Sequence, residues 1–222
     1  IMWSFLIAYF VHLAWKKFLN FKKIHRISKY TISILYFNGI SIPVEHNIEI
    51  PFEMIRQYKV LEDLLKKLFS VTGLVGSGDS ILDKILVKEV ILFGKKTIGF
   101  MLIELKLRSY KDNTNVPGVV FLRSQSVAIL VTEYFEGEIW VLLVCQRRAA
   151  FGQYAYEIVA GMVEETDGEK TLTGRAIKEL EEEAGIKLNE EKLNDLDIDS
   201  YPSIGGSNEK VKYLHVSVEG LV

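Results

Sequence analysis

The chain has 222 residues, 49% of them hydrophobic, and a formal net charge of −2. That length and apolar content allow one large domain or two small ones with a real core, and the near-neutral balance excludes a general nucleic-acid binder, so no nucleic-acid partner is expected. Cys145 is the only cysteine, which excludes an intrachain disulfide; it lies in an apolar run and reads as packing rather than as a nucleophile, and no CxxC or His/Cys cluster suggests a zinc site.

The chain opens on Ile1 rather than on Met, as a fragment would. Residues 1–15, IMWSFLIAYFVHLAW, are almost wholly apolar; Lys16, Lys17, Lys22, Lys23, Arg26 and Lys29 follow, and no acidic residue precedes Glu45. The apolar run is shorter than the ~20 residues a membrane span needs. It lacks the leading charge and cleavage site of a secretory signal. A short membrane anchor, an atypical targeting segment and sequence outside the working protein all remain open, and the last two fit better. Membrane contact is expected only if residues 1–15 are an anchor, and residues 1–30 are set apart from the fold.

Residues 31–44 read as β-rich around an Asn38-Gly39 turn. Residues 53–70 carry helical spacing at Met54, Tyr58, Leu61, Leu64, Leu65 and Leu68. The Gly/Ser loop at 72–80 is not a P-loop, because no Gly-Lys-Ser/Thr follows it. Strands are predicted at 85–93 and 97–107, separated by Gly94-Lys95-Lys96, and their apolar residues (Val87, Val90, Leu92, Phe100, Leu102, Ile103) occupy both faces. Such a layer cannot stand alone in water, so an assembly that covers it is expected. After a polar loop at 109–117 come strands at about 118–123, 126–134 and 139–146, with a turn at Glu136-Gly137-Glu138.

The second half of Tyr156–Ile186 reads as one amphipathic helix ending at Gly185. At 3.6 residues per turn, Thr173, Ala176, Ile177, Leu180 and Ala184 share an apolar face, while Lys178 and Glu181 point to water. Glu179, Glu182 and Glu183 gather on a third face with Arg175 beside them. Like charges so placed repel and raise one another's pKa; Mg²⁺ or Mn²⁺, which prefer carboxylate oxygens, would reverse both effects. Tyr201–Asn208 reads as a loop and Lys212–Val218 as a final strand. Strands interspersed with helices point to α+β or α/β layers.

The run KELEEEAGI resembles the Nudix signature, Gly-x5-Glu-x7-Arg-Glu-aliphatic-x-Glu-Glu-x-Gly-aliphatic. Lys178 stands at its Arg position, Glu179, Glu182 and Glu183 at its three carboxylates, and Gly185 at its second Gly. The first Gly falls on Glu164, whereas the glycine present is Gly161, which implies three inserted residues in the intervening loop. The isolated mid-box Glu falls on Lys170, beside Glu169. A register running from Gly161 to Arg175 is rejected because it puts Ala176 and Leu180 at carboxylate positions. Glu157-Ile158-Val159-Ala160-Gly161, Gln146-Arg147-Arg148 and Pro202-Ser203-Ile204-Gly205-Gly206-Ser207-Asn208-Glu209 are similar to segments of ADP-ribose and ADP-sugar diphosphatases, with Val159 and Ile204 replacing prolines. Phe37–His46 and Pro117–Phe121 resemble the plant ADP-sugar diphosphatases, which include plastid enzymes.

The resemblance covers roughly residues 35 to 222, and those relatives continue past the point matching Val222. It implies an α+β fold: an N-terminal β-rich dimerisation region with one helix over 31–118, then a Nudix α/β/α sandwich over 119–222, truncated at its C-terminus. It implies a homodimer, and a plastid location. The implied reaction is Mg²⁺-dependent hydrolysis of ADP-sugars (ADP-glucose, ADP-ribose) to AMP and sugar 1-phosphate. Alternatives are another nucleoside diphosphate derivative as substrate, or a Nudix-fold nucleotide-binding module without turnover. Glu179, Glu182, Glu183 and the Ala160 carbonyl are the implied metal ligands, with Glu182 and Glu183 also catalytic. Arg148 would clamp a phosphate, Glu157 would contact metal or substrate, and Gly161, Gly205 and Gly206 would line the substrate. Glu209 is the implied general base, and Lys178 would orient a ligand carboxylate.

Overall fold

The computed structural model describes residues 30–47, 49–94, 97–163 and 171–220. The readings placed on residues 1–29, and on Glu164, Glu169, Lys170 and the inserted loop, lie outside these. The chain divides into two compact units, one ending at Val119 and one beginning at Val120.

In the first unit, β1 (Tyr30–Phe37) and β2 (Ile40–Asn47) form an antiparallel hairpin. Asn38 (φ 49°) and Gly39 (φ 77°) both take positive φ, as a two-residue hairpin turn matched to strand twist requires. Ile42, Val44 and His46 alternate inward along β2. The predicted helix at 53–70 is two helices, α1 (Phe52–Gln57) and α2 (Lys59–Leu68). The break falls at Tyr58, which is extended (φ −68°, ψ 107°). That conformation goes with a buried ring whose hydroxyl donates to the Gly99 carbonyl at 3.4 Å. Apolar spacing survives the break, so periodicity alone could not reveal it. β3 (Ser80–Phe93) and β4 (Thr97–Ser109) are longer than expected and pair antiparallel through three register shifts. β2 joins β3 in parallel, and β5 (Asn115–Val116) adds to β4, giving the order β1-β2-β3-β4-β5. Val44, Ile85, Met101 and Ile103 are fully enclosed in this unit.

The chain passes through β6 (Val119–Leu122) into β7 (Ser126–Phe135), the central strand of the second unit. β8 (Glu138–Val141) pairs with β7, while β9 (Val144–Arg148) pairs with β10 (Gln153–Glu157) in a separate two-stranded sheet. The single strand expected at 139–146 is therefore split between two sheets. Cys145 falls on the outward face of β9 and is exposed, which corrects its reading as packing. β11 (Val159–Met162), β7, β13 (Val211–Ser217) and β12 (Asn194–Ser200) complete a mixed sheet in the order β11-β7-β13-β12, with β13 parallel to β7.

β12 was not legible in NDLDIDS, because acidic residues disfavour strands. It exists as an edge strand with a bulge, tied to its neighbours by Lys212–Asp195 (2.8 Å) and Lys210–Asp199 (2.6 Å). α3 (Thr171–Ala184) lies against the sheet and supplies Ala176 and Leu180 to a core of Val127, Ile129, Val131, Val159, Leu214 and Val216. Mixed sheets with few helices make this an α+β chain. Among the described residues no helix is long and apolar enough to cross a membrane.

Leu180 is 0% exposed at the centre of the α3–sheet contact. Leu180→Ala is expected to cost about 2–5 kcal/mol, the range for a buried leucine that leaves a cavity, while Glu181→Ala on the exposed face stays near wild type. Urea unfolding of both variants checks this; equal midpoints would mean that α3 does not contribute to the core.

Candidate active site

Helix α3 ends where Gly185 enters the left-handed region (φ 69°) and Ile186 N–H returns to the Leu180 carbonyl at 3.1 Å. This end fixes the rotation of the helix, and its three motif carboxylates receive three different environments. Glu179 is 5% exposed and lies over β11. A Cβ added at Gly161 would stand 1.9 Å from Glu179 Oε1 and 2.1 Å from its Cδ, so only glycine leaves room for this side chain. The guanidinium of Arg175, one turn earlier and 16% exposed, donates to the same Oε1. Glu183 is half-buried and accepts from Gln146 Nε2 on β9 and from the Ala160 N–H on β11 at 3.4 Å. Glu182 faces solvent, 3.7 Å from Lys178 Nζ, and both of these side chains are more than half exposed.

The carboxylates therefore do not converge: among the described residues no three His, Cys, Asp or Glu side chains form a ready-made cation cage. Like charges separate, and each takes the donor nearest to it. Burial is the main cause that raises the Glu179 carboxyl above its ordinary range; Arg175 opposes this, and the charges of Glu183 and Glu182 add to it. Among the described residues Lys178 reaches only Glu182, from the solvent side. The buried carboxylate is held instead by Arg175, whose role the sequence reading missed. The i,i+4 spacing of Arg175 and Glu179 was the available signal.

The hairpin β9–β10 faces α3 with Gln146 and Arg148. Arg148 grips Glu157 in a fork: Nε to Oε1 at 2.9 Å and to Oε2 at 3.0 Å, and Nη2 to Oε2 at 2.6 Å. This guanidinium holds the Glu157 carboxyl below its usual range, and Arg148 also senses the charge of Glu183. Ala160, Gly161, Glu179, Glu183, Gln146, Arg148 and Glu157 thus form one connected cluster.

Glu209 sits at the same end of the sheet, because the register sets Met162, Ser126 and Val211 abreast across β11, β7 and β13. It is not a free loop carboxylate. Oε1 accepts from Ser126 Oγ at 3.1 Å and lies 3.2 Å from Arg123 Nη1. Its neighbour Lys210 is engaged with Asp199. Arg123 and Ser126 are further residues absent from the sequence reading, where nothing local links them to Glu209. Gly205 and Gly206 lie in a turn closed by Gly206 N–H to the Ser203 carbonyl at 3.0 Å and anchored by Phe121 N–H to the Gly206 carbonyl at 2.8 Å. Nothing among the described residues brings these two glycines against the helix carboxylates.

The donor set fits a small hard cation. Mg²⁺ is typically bound by one or two carboxylates and completes its shell with water and substrate phosphates rather than in an all-protein cage. Glu179, Glu183 and Glu182 offer oxygen donors of that kind from one helix.

Residues 122–221 match the NUDIX domain family model. The chain is 36% identical over 141 residues to Nudix hydrolase 14, chloroplastic, of Arabidopsis thaliana, a match covering 64% of this chain and 45% of that protein. The chain thus spans less than half of that relative's length. It also resembles a solved structure described as an ADP compounds hydrolase, with 14% identity and a TM-score of 0.44 over 65% of this chain and 73% of that one.

Glu157→Gln leaves Arg148 without its fork partner. At neutral pH the expected cost is below about 1 kcal/mol, because the pair is partly exposed. A carboxyl held below its ordinary value stabilises the fold while it is ionised. The difference between wild type and variant should therefore persist above the ordinary value of 4.5 and fade as pH falls below it. Urea midpoints across the acid range test this; a gap that widens toward low pH would refute the pairing.

Proposed function

We propose that this chain, which carries a Nudix domain over residues 122–221, is a divalent-cation-dependent hydrolase that splits the diphosphate of ADP-sugars such as ADP-glucose and ADP-ribose into AMP and a sugar phosphate, the 1-phosphate from ADP-glucose and the 5-phosphate from ADP-ribose. The observation that carries this reading is the placement of Glu179 over Gly161 and of Glu183 against Ala160 and Gln146, beside the Arg148–Glu157 fork. The name of the Arabidopsis relative, a Nudix hydrolase, supports a hydrolase. The catalytic role of Lys178 and the substrate-lining role of Gly205 and Gly206 find less support, since all three stand away from this cluster.

Glu179, Glu183 and Glu182 would hold Mg²⁺ or Mn²⁺, with the Ala160 carbonyl as a further oxygen. When bound, the cation neutralises diphosphate charge and makes water a stronger acid. Arg148 offers a planar fork that suits a phosphate as well as it suits the Glu157 carboxylate, so substrate entry exchanges one anion for another. Glu209, oriented by Ser126 and Arg123, takes the proton of the attacking water. Water adds to one phosphorus, the bridging P–O bond breaks, and the other phosphate leaves with the bridging oxygen.

The same reading includes a homodimer and a plastid location. Ile32, Ile34 and Tyr36 expose one apolar row along β1 of the first unit, as an interface would. The name of the Arabidopsis relative supports the compartment.

A product assay on a panel of nucleotide sugars with Mg²⁺ is the test. AMP and the corresponding sugar phosphate should appear from ADP-sugars and cease with chelator. Glu182→Gln should lose at least about 100-fold in rate, the scale of removing a strong electrostatic contribution, with little change in stability. Binding of ADP-sugars without product in any metal would point to a binding module instead. A monomer mass by light scattering at micromolar concentration, with full activity, would remove the dimer.

A further inference from the structure

We propose that Arg175 is the positioning residue of the cation site: its guanidinium pins one oxygen of Glu179 so that the other is presented for coordination. The inference rests on the reading of Glu179 as a metal ligand. Glu179 is fixed from two directions. Below it, Gly161 has no Cβ, and the carboxylate fills the space a Cβ would take, with Oε1 nearest. Beside it, Arg175 Nη2 donates to that same Oε1. Among the described residues Oε2 accepts no hydrogen bond. A carboxylate held by one oxygen keeps a fixed orientation and an available lone pair, which is the service an outer-shell partner renders to a metal ligand.

Arg175 is not placed there by its own needs. Its Nε–H is buried and meets no acceptor among the described residues, so its environment leaves one of its donors unmet. Glu179 is its salt-bridge partner. The positive charge that the motif resemblance implied for this task, Lys178, lies on the solvent side beside Glu182. A guanidinium also repels a nearby divalent cation, an effect by which its removal would tighten binding. Orientation outweighs repulsion here: Glu179 has no other donor among the described residues, whereas the repulsion is moderated by the carboxylate lying between the two cations.

The test is Mn²⁺ binding to the full chain without substrate, with free Mn²⁺ followed by electron paramagnetic resonance. Arg175→Gln should raise the dissociation constant by about 10–100-fold, the usual effect of losing an outer-shell partner, with Arg175→Lys in between. Turnover of Arg175→Gln should recover at high Mg²⁺, so that the metal requirement moves more than the limiting rate. Wild-type or tighter Mn²⁺ binding by folded Arg175→Gln overturns the proposal. Should that variant fail to fold, Gly161→Ala keeps Arg175 but presses on Oε1, and is expected to weaken Mn²⁺ binding as well; unchanged affinity there overturns the proposal equally. A wild-type chain that binds Mn²⁺ but hydrolyses no ADP compound removes the proposed function and leaves this inference standing. A wild type with turnover whose Arg175→Gln variant binds Mn²⁺ normally removes this inference alone.

Discussion

The close approach of Glu179 to Gly161 is the contact on which the candidate site depends. A helix packs on a sheet through its apolar stripe, and α3 does so with Ala176 and Leu180. Glu179 adjoins that stripe, so the packing that buries Leu180 carries a carboxylate inward with it. A side chain at residue 161 would push the helix off or turn the carboxylate away. The missing Cβ lets one helix serve both the core and a buried carboxylate. The rest follows in sequence: Glu183, one turn on, reaches Ala160 and Gln146, and Gln146 leads along β9 to Arg148 and Glu157.

That arrangement opposes stability locally. A buried carboxylate loses hydration, and two more negative charges on the same helix add to its discomfort. Arg175 offsets this in part, yet its own Nε–H remains without an acceptor among the described residues. Buried ion pairs are poor sources of stability compared with apolar packing of the same volume. A sequence selected for packing alone would place apolar residues at 175 and 179. Their charge is therefore not explained by packing, and carboxylates raised by burial tend to sit where chemistry happens.

Glu209 shows the same economy reached by another route. It lies in a loop, but a hydroxyl on the central strand β7 and the Arg123 guanidinium fix its carboxylate. Parallel pairing of β13 with β7 brings Val211 beside Ser126, and so carries the preceding loop to the end of the sheet where Met162 and Gly161 lie. A residue more than eighty positions from Ser126 thereby becomes its neighbour.

The sequence by itself determined the features that depend on local periodicity and local backbone geometry. The α3 face of Ala176 and Leu180, the helix end at Gly185 and the Asn38-Gly39 hairpin were legible because neighbours along the chain decide them. The resemblance to the Nudix signature was legible too, since that motif is carried within one helix and its flanking loops. Tertiary structure decided the rest. Tyr58 breaks a helix whose apolar spacing runs straight through, because its ring is buried and its hydroxyl reaches the Gly99 carbonyl. Residues 139–146 read as one strand but pair with two different partners, and the acidic β12 exists because Lys212 and Lys210 lie beside it. Local spacing placed Arg175, Lys178 and three carboxylates on one helix, but could not say which cation reaches which carboxylate. That choice belongs to β11: its glycine admits Glu179 into the interior beside Arg175, and leaves Lys178 and Glu182 in water.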